Sequence, residues 1–366
     1  MKLQEIVKKI YDNLPIKLVS DGDNVGLIAG NYDDECEKMT VAYELNNGVL
    51  DEVLQNHSNL LVTYHTPLFR PTKSFTSSNS KPNSLFEAAR AGVNVLAVHT
   101  ALDVVRDGLN FDLAARLGLK NIRFLSPLKD TLYKIVVFVP QSHLDQVRRA
   151  MSEAGAGRIG NYFECSFALD GKGSFVPNEE ASPYIGQPGK FESVDEARLE
   201  MVVERSLIGA VVSEMLKTHP YEEAAYDVYP LSNDSANFGF GAIGELDEPV
   251  QLKVFIGRVK EIVGLDSVKA SHLPEVEIKK VALCAGSGVP FYSDAVKNGA
   301  DVFVTGDVKH HDFREAQPCP AVLVDATHHG TEKYVPEVML KIMNEIFRNE
   351  ISVRMSKYWR ENFIAV

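Results

Sequence analysis

Short, almost uninterrupted apolar runs separated by amphipathic stretches constrain this chain more than any other feature. NLLVTYH (59–65), VNVLAVHT (93–100), IKKVALCAG (278–286), DVFVTGD (301–307) and PAVLVDATHHG (320–330) are runs of this kind, and MTVAYEL (39–45) is a weaker one. Helical patterns fall between them: residues 2–13, NGVLDEVLQN, SLFEAARAG with Gly92 as its terminator, KHHDFREAQ, and PEVMLKIMNEIF with Pro336 in its first turn. Strands that are apolar on both faces belong to a parallel sheet covered by helices on each side, which predicts an α/β fold. In such sheets the chemistry collects at the C-terminal ends of the strands. His65 ends one run, and His99, with Asp103 four residues later, ends the next.

The middle of the chain differs. LYKIVVFVP (132–140), HLDQVRRAMSEAG, RLEMVVER, SLIGAVVSEMLKT and AYDVYPL read as strand, helix, strand, helix and strand. The Gly/Pro-rich stretch GKGSFVPNEEASPYIGQPGKFE (171–192) reads as irregular exposed loop. This order predicts a ferredoxin-like α+β module, residues 129–232, inserted into an α/β domain made of residues 1–128 and 233–366. A chain of 366 residues has room for two to three domains.

Hydrophobic residues make up 45% and charged residues 24%, the balance of a soluble globular protein. The formal net charge of −12 argues against binding a nucleic-acid backbone, which needs a basic face. No apolar run approaches the roughly 18–20 residues of a membrane span. The N-terminal MKLQEIVKKIYDNL carries charges throughout, unlike a signal peptide, so a cytoplasmic location without membrane attachment is expected. Cys36, Cys165, Cys284 and Cys319 lie far apart and predict four reduced thiols, mostly buried, rather than a disulfide framework or zinc knuckle.

Three segments carry the candidate chemistry: YHTP with His65, HTALD with His99 and Asp103, and DATHHGTE with Asp325, His328, His329 and Glu332. Imidazoles and carboxylates together suit a borderline divalent ion such as zinc, manganese, iron or nickel. His328 and Glu332, four apart, share a face if their turn is helical, although Pro336 disfavours helix at Val335. Each residue also has a plainer reading. A strand-end histidine serves as a hydrogen-bonded rim residue as readily as a ligand, Thr100 and Asp103 fit a helix start, and Glu332 fits a solvated surface. Gly286 and Gly288 could offer amides to an anion or simply make a tight turn. Asp307, Lys309, His310 and His311 could support the site, bind substrate or cap a helix, and His219, Glu222 and Glu223 could hold a metal but fit better a helix end with the carboxylates flanking an edge strand. Trp359, Tyr358 and Phe363 are expected to pack near the C-terminus. No nucleophile motif is present, so an enzyme built on these residues would rely on metal-activated water, with His99 or His311 as candidate proton shuttle.

Taken in order, DNVGL (23–27), YHTPLF (64–69), HTALD (99–103), GSG (286–288), TGD (305–307) and HHGTE (328–332) resemble the NIF-three-like family, often labelled GTP cyclohydrolase 1 type 2 homologues. The resemblance spans nearly the whole chain, and GAGRIGNYFECSF and HPYEEAAYDVYPL look like the PII-like insert of its longer bacterial members. It implies a toroidal homohexamer with one or two divalent ions per chain facing a cavity. By motif, His65, Asp103, His328 and Glu332 match the family's ligands, Glu332 as the bridging carboxylate. Tyr64 stands where many members have a first ligand histidine, Gly22 where they have a tryptophan, and Glu44 where an aspartate is usual. With a phenol at 64, the resemblance implies one firm site on His65, Asp103 and Glu332, and a weaker one on His328 and Glu332. The function this implies is a metal-dependent hydrolase of unknown substrate. The alternative is a non-enzymatic, hexameric metal-binding protein with a chaperone-like or regulatory role.

Overall fold

The computed structural model describes residues 1–19, 23–70, 72–78, 83–235 and 237–358. Gly22, Trp359 and Phe363 lie outside them. The chain forms two compact units: residues 1–127 with 237–366, and residues 128–236.

The two-segment unit holds two sheets. The first runs β1 (Gly26–Ala29), β4 (Asn94–Ala97), β3 (Leu60–Thr63), β2 (Lys38–Ala42) and β15 (Ser352–Met355). All neighbours are parallel except β1, which is antiparallel to β4. β3 and β4 are buried at every position, as their unbroken apolar sequences require. The helices Leu3–Asn13 and Val335–Phe347 cover one face; Ile6, Ile10, Met339, Met343 and Phe347 pack with Met39, Val41, Leu60 and Val62. The other face meets Asn47–Gln55 and Ser84–Arg90 through Val49, Val53, Leu85 and Ala88. Gly92, at φ 72°, follows the second of these helices.

The second sheet runs β11 (Lys269–Ala270), β14 (Val322–Asp325), β13 (Val302–Thr305), β12 (Glu277–Leu283), β10 (Gly239–Gln251) and β5 (Lys120–Pro127). Its β12, β13 and β14 are parallel, and its flanking strands antiparallel. The sequence reading missed β1, β5, β10, β11 and β15. Most of these lie at sheet edges or mix polar and apolar residues, so none shows a buried-strand run.

Residues 128–236 form a four-stranded antiparallel sheet, β7 (Ser166–Phe175), β8 (Glu192–Glu204), β6 (Leu132–Pro140) and β9 (Tyr226–Pro230) in spatial order. Helices Leu144–Glu153 and Ile208–Thr218 pack on it through Val147, Met151, Val211 and Met215. The Gly/Pro-rich stretch is only partly loop: residues 171–175 belong to β7 and pair with 192–196 of β8. The glycines at 171 and 173 concealed an exposed strand whose stability comes from its partner rather than from propensity. Two further corrections are local. Val335 opens its helix with Pro336 inside the first turn, and of the four free cysteines Cys36 and Cys284 are buried while Cys165 and Cys319 are half-buried. No helix among the described residues is long and apolar enough to cross a membrane.

Candidate metal centre

Parallel pairing aligns the ends of the first-sheet strands. Thr63 pairs with Ala42 on one side and Ala97 on the other, so Tyr43, Tyr64 and His99 leave the sheet together. The ladder continues past the strands, with His65 N donating to Tyr43 O (2.9 Å) and His99 N to Tyr64 O (2.9 Å). In the second sheet Thr305 pairs with Asp325, which sends Asp307 and His328 out side by side. Both sets of strand ends meet at one carboxylate.

That carboxylate is Glu332, 2% exposed. It sits at the end of a single helical turn, His328–Thr331, which Thr327 caps by accepting from Gly330 N. The Glu332 N–H bond to His328 O (3.1 Å) gives the i, i+4 geometry that places both side chains on one face. Glu332 Oε2 accepts from the Tyr43 hydroxyl at 2.6 Å, and lies 3.1 Å from His65 Nε2 and 3.0 Å from His328 Nε2. Its Oε1 lies 3.3 Å from the Tyr64 hydroxyl, which also donates to Asp103 Oδ1 at 2.9 Å. Glycine is required beside it: Gly286 has φ +66°, and a Cβ there would stand 2.5 Å from Glu332 Oε1. Gly306 lets β13 pass the turn, since its Cβ would meet His328 N at 2.5 Å.

Charge is balanced within the cluster. Burial opposes ionisation of Glu332, but the adjacent imidazoles of His328 and then His65 hold its carboxyl at about 2. Burial likewise disfavours a charged His328, yet Glu332 and then Asp307 raise it to about 9. Asp103 is pushed up to about 7, first by burial and then by the Glu332 charge. Asp307 Oδ2 lies 2.7 Å from His328 Nδ1, which turns Nε2 toward Glu332. His328 Nε2 is buried and lacks a partner of hydrogen-bonding geometry despite its 3.0 Å approach to the carboxylate. A second pairing lies alongside: His99 Nδ1 and the Thr100 hydroxyl both reach Asp23 Oδ2 at 2.5 Å. Thr100 therefore does not cap its helical turn; His99 occupies the cap position.

Among the described residues, the group of three or more potential ligands is His65, His328 and Glu332, whose donor atoms lie within 4.8 Å of one another. Asp103 falls outside that set and is linked to it by the Tyr64 hydroxyl. The ring of His99 stands 5.3 Å from that of His65, whereas His311 is exposed and its ring contact is with His310. The glycine amides of the GSG turn are spent internally, Gly286 N on Thr331 Oγ1 and Gly288 N on Thr305 Oγ1. His219 ends its helix, bound to Phe138 O, beside the edge strand β9. Sequence reasoning missed Tyr43 and gave no role to Asp23. The position of Tyr43, one residue past a strand parallel to β3, was the available signal.

The set suits a divalent cation. Two imidazoles and a carboxylate are borderline ligands, and His328 Nε2 is buried within 3.0 Å of Glu332 Oε2. Asp307 behind His328 repeats the carboxylate–histidine support of many metal sites.

The chain can be set beside known proteins. A relative from Halalkalibacterium halodurans named GTP cyclohydrolase 1 type 2 homolog is 36% identical, the match covering 92% of this chain and 90% of the relative. One of the same name from Bacillus subtilis is 35% identical, covering 91% and 90%. The crystal structure of a Bacillus cereus protein related to NIF3 superposes with a TM-score of 0.87 at 32% identity, covering 100% of this chain and 99% of that one. The profile of the Duf34/NIF3 (NGG1p interacting factor 3) family matches residues 1–361, and the chain belongs to that family.

Proposed function

We infer that His65, His328 and Glu332 hold a divalent ion, that Asp103 completes the site or ligates a second ion, and that the centre serves a metal-dependent hydrolase. The carrying observation is the convergence of three donor atoms within 4.8 Å, one of them the buried His328 Nε2. A bound ion would supply Lewis acidity and bring the pKa of water toward neutrality. The protein's own groups fit the remaining tasks. Tyr43 and Tyr64 steady the two carboxylates, Asp307 orients His328, and His99, backed by Asp23, is placed to accept a proton. The name of the relatives suggests a cyclic-amide or nucleotide substrate, and we propose the same class here, with zinc, manganese, iron or nickel as candidate ions.

We further read residues 128–236 as a ferredoxin-like, PII-like insert. Its β-α-β-β-α-β chain order and its spatial order β7-β8-β6-β9 support this. A homohexamer is the expected assembly.

Elemental analysis of protein purified without chelator, with anomalous diffraction to place the ions, tests the centre. The expected result is at least one ion per chain on His65, His328 and Glu332. No loading after incubation with each of the four metals would overturn it. Loaded protein that turns over no phosphate ester, cyclic amide or nucleotide, while binding metal reversibly, would favour the non-enzymatic metal-binding reading. Light scattering checks the hexamer.

A further inference from the structure

Within residues 128–236, β7, β8, the 176–191 loop and the segment following His219 line a cleft of about 1000 Å³. Glu196 of β8 lines it and is only 7% exposed. Gly173 on the neighbouring strand leaves room for that carboxylate, since any Cβ at 173 would collide with Glu196 Oε2.

Among the described residues, no cation pairs with Glu196. The two basic side chains in the cleft are engaged elsewhere, Lys172 with Asp195 at 3.0 Å and Arg198 with Glu200 at 2.9 Å. His219, nearby, is held neutral: its Nδ1 accepts from Tyr221 N and its Nε2 bonds Phe138 O, while burial lowers its pKa. The Tyr221 hydroxyl is buried against Glu196; burial, and then the adjacent carboxylate as acceptor for its proton, push the phenol's pKa up. The Tyr221 ring lies 6.2 Å from Phe175 and 6.2 Å from Tyr184, which also line the cleft. Of the other acidic groups lining the cleft, Asp170 pairs with Gln141 and Glu222 with Ser182 N, while Glu180 and Glu223 are exposed to solvent.

The geometry points to this cleft as a binding site for a small organic cation, an ammonium group on an apolar or aromatic body, with Glu196 as counter-ion and Phe175, Tyr184 and Tyr221 as its ring wall. A buried carboxylate without a cation is costly, and aromatic faces attract the same charge that would relieve it. The volume suits a small organic molecule. An anion would face Glu196. A bare metal ion would need converging ligands, and among the described residues the set with that convergence is at Glu332 instead.

The test uses the full chain with 2-phenylethylammonium chloride, against the neutral 2-phenylethanol and the anionic 3-phenylpropionate, read by saturation-transfer NMR and calorimetry. The ammonium should bind about tenfold or more tightly than the alcohol, and the anion not at all. Glu196→Gln should lower the ammonium affinity by about tenfold. Gly173→Ala, which crowds the carboxylate but keeps its charge, should weaken binding too. Equal binding of ammonium and alcohol, no binding up to about 20 mM, or indifference to both substitutions would overturn the proposal. The wild-type comparison decides even if both variants misfold.

Discussion

Metal binding at the Glu332 cluster should release protons, and His328 sets how steeply. An imidazole ligates only when neutral. In the metal-free protein burial disfavours the His328 cation, but Glu332 and then Asp307 raise its pKa to about 9. An ion arriving at pH 7 must displace that proton, about two units below the pKa, so the apparent affinity there lies about 100-fold under its limit. The affinity for manganese should therefore climb about tenfold per pH unit between about pH 7 and 8.5, then level near 9. Calorimetry in two buffers of different ionisation enthalpy counts the released protons directly, with about one per chain expected from His328 at pH 7. Asp307→Asn removes one of the two carboxylates that raise His328, so its plateau should begin at lower pH. The same change frees the ring to rotate, and the limiting affinity should fall about 10- to 100-fold. Affinity that stays flat over this range, with no proton released, would refute the reasoning.

Tyr43→Phe keeps the ring, so no cavity opens, but Glu332 loses a 2.6 Å donor between groups 4% and 2% exposed. Urea unfolding of the metal-free protein should show a loss of about 1.5–3 kcal/mol, and a loss below about 0.5 kcal/mol would contradict that role. The Asp23–His99 pair predicts a pH window. Burial opposes the charge on Asp23, but His99 and Thr100 hold its carboxyl at about 2, so its contribution is present above its ordinary 3.8 and is lost as pH falls through 2. His99, disfavoured by burial but raised by Asp23, contributes below its ordinary 6.5 and loses that contribution as pH rises through its folded value. His99→Gln should shift acid unfolding, followed by circular dichroism, to higher pH; an unmoved acid limb would count against the pairing. Tyr64→His should raise the number of ions bound per chain by elemental analysis, and unchanged loading would show that the phenol does not limit the second position.

The parts legible in sequence were those governed by local pattern. Unbroken apolar runs announced β3, β4, β13 and β14, and the segments at or just past the runs' ends gave His65, His99, Asp103 and His328 as candidates before any geometry was known. The spacing of His328 and Glu332 anticipated a shared face, which the single turn at 328–331 provides. What sequence hid was non-local. β15 completes the first sheet from the far end of the chain, pairing Ser352 with Lys38, and its short mixed sequence has no meaning without that partner. Tyr43 reads as one more apolar residue until parallel register sets it beside Tyr64. The ligand grouping also changed: motif order joined His65 with Asp103 and Glu332, whereas the fold brings His328 into the triad and leaves Asp103 behind the Tyr64 hydroxyl.

Three of the nine non-glycine residues of positive φ among the described residues flank the carboxylate cluster. His99, Asp307 and Thr327 have φ of 26°, 56° and 58°, and each stands just past the end of a buried strand. Non-glycine residues in this region cost about 1–3 kcal/mol each and persist only where the surroundings fix them. Here the fixing contacts are the site's own. His99 is held by Asp23 and by Tyr64 O, Asp307 by His328, and Thr327 by Asp325 Oδ1 and Gly330 N. Asp307 orients the His328 ring and Thr327 caps the turn that carries it, which ties these two strained positions to the carboxylate cluster.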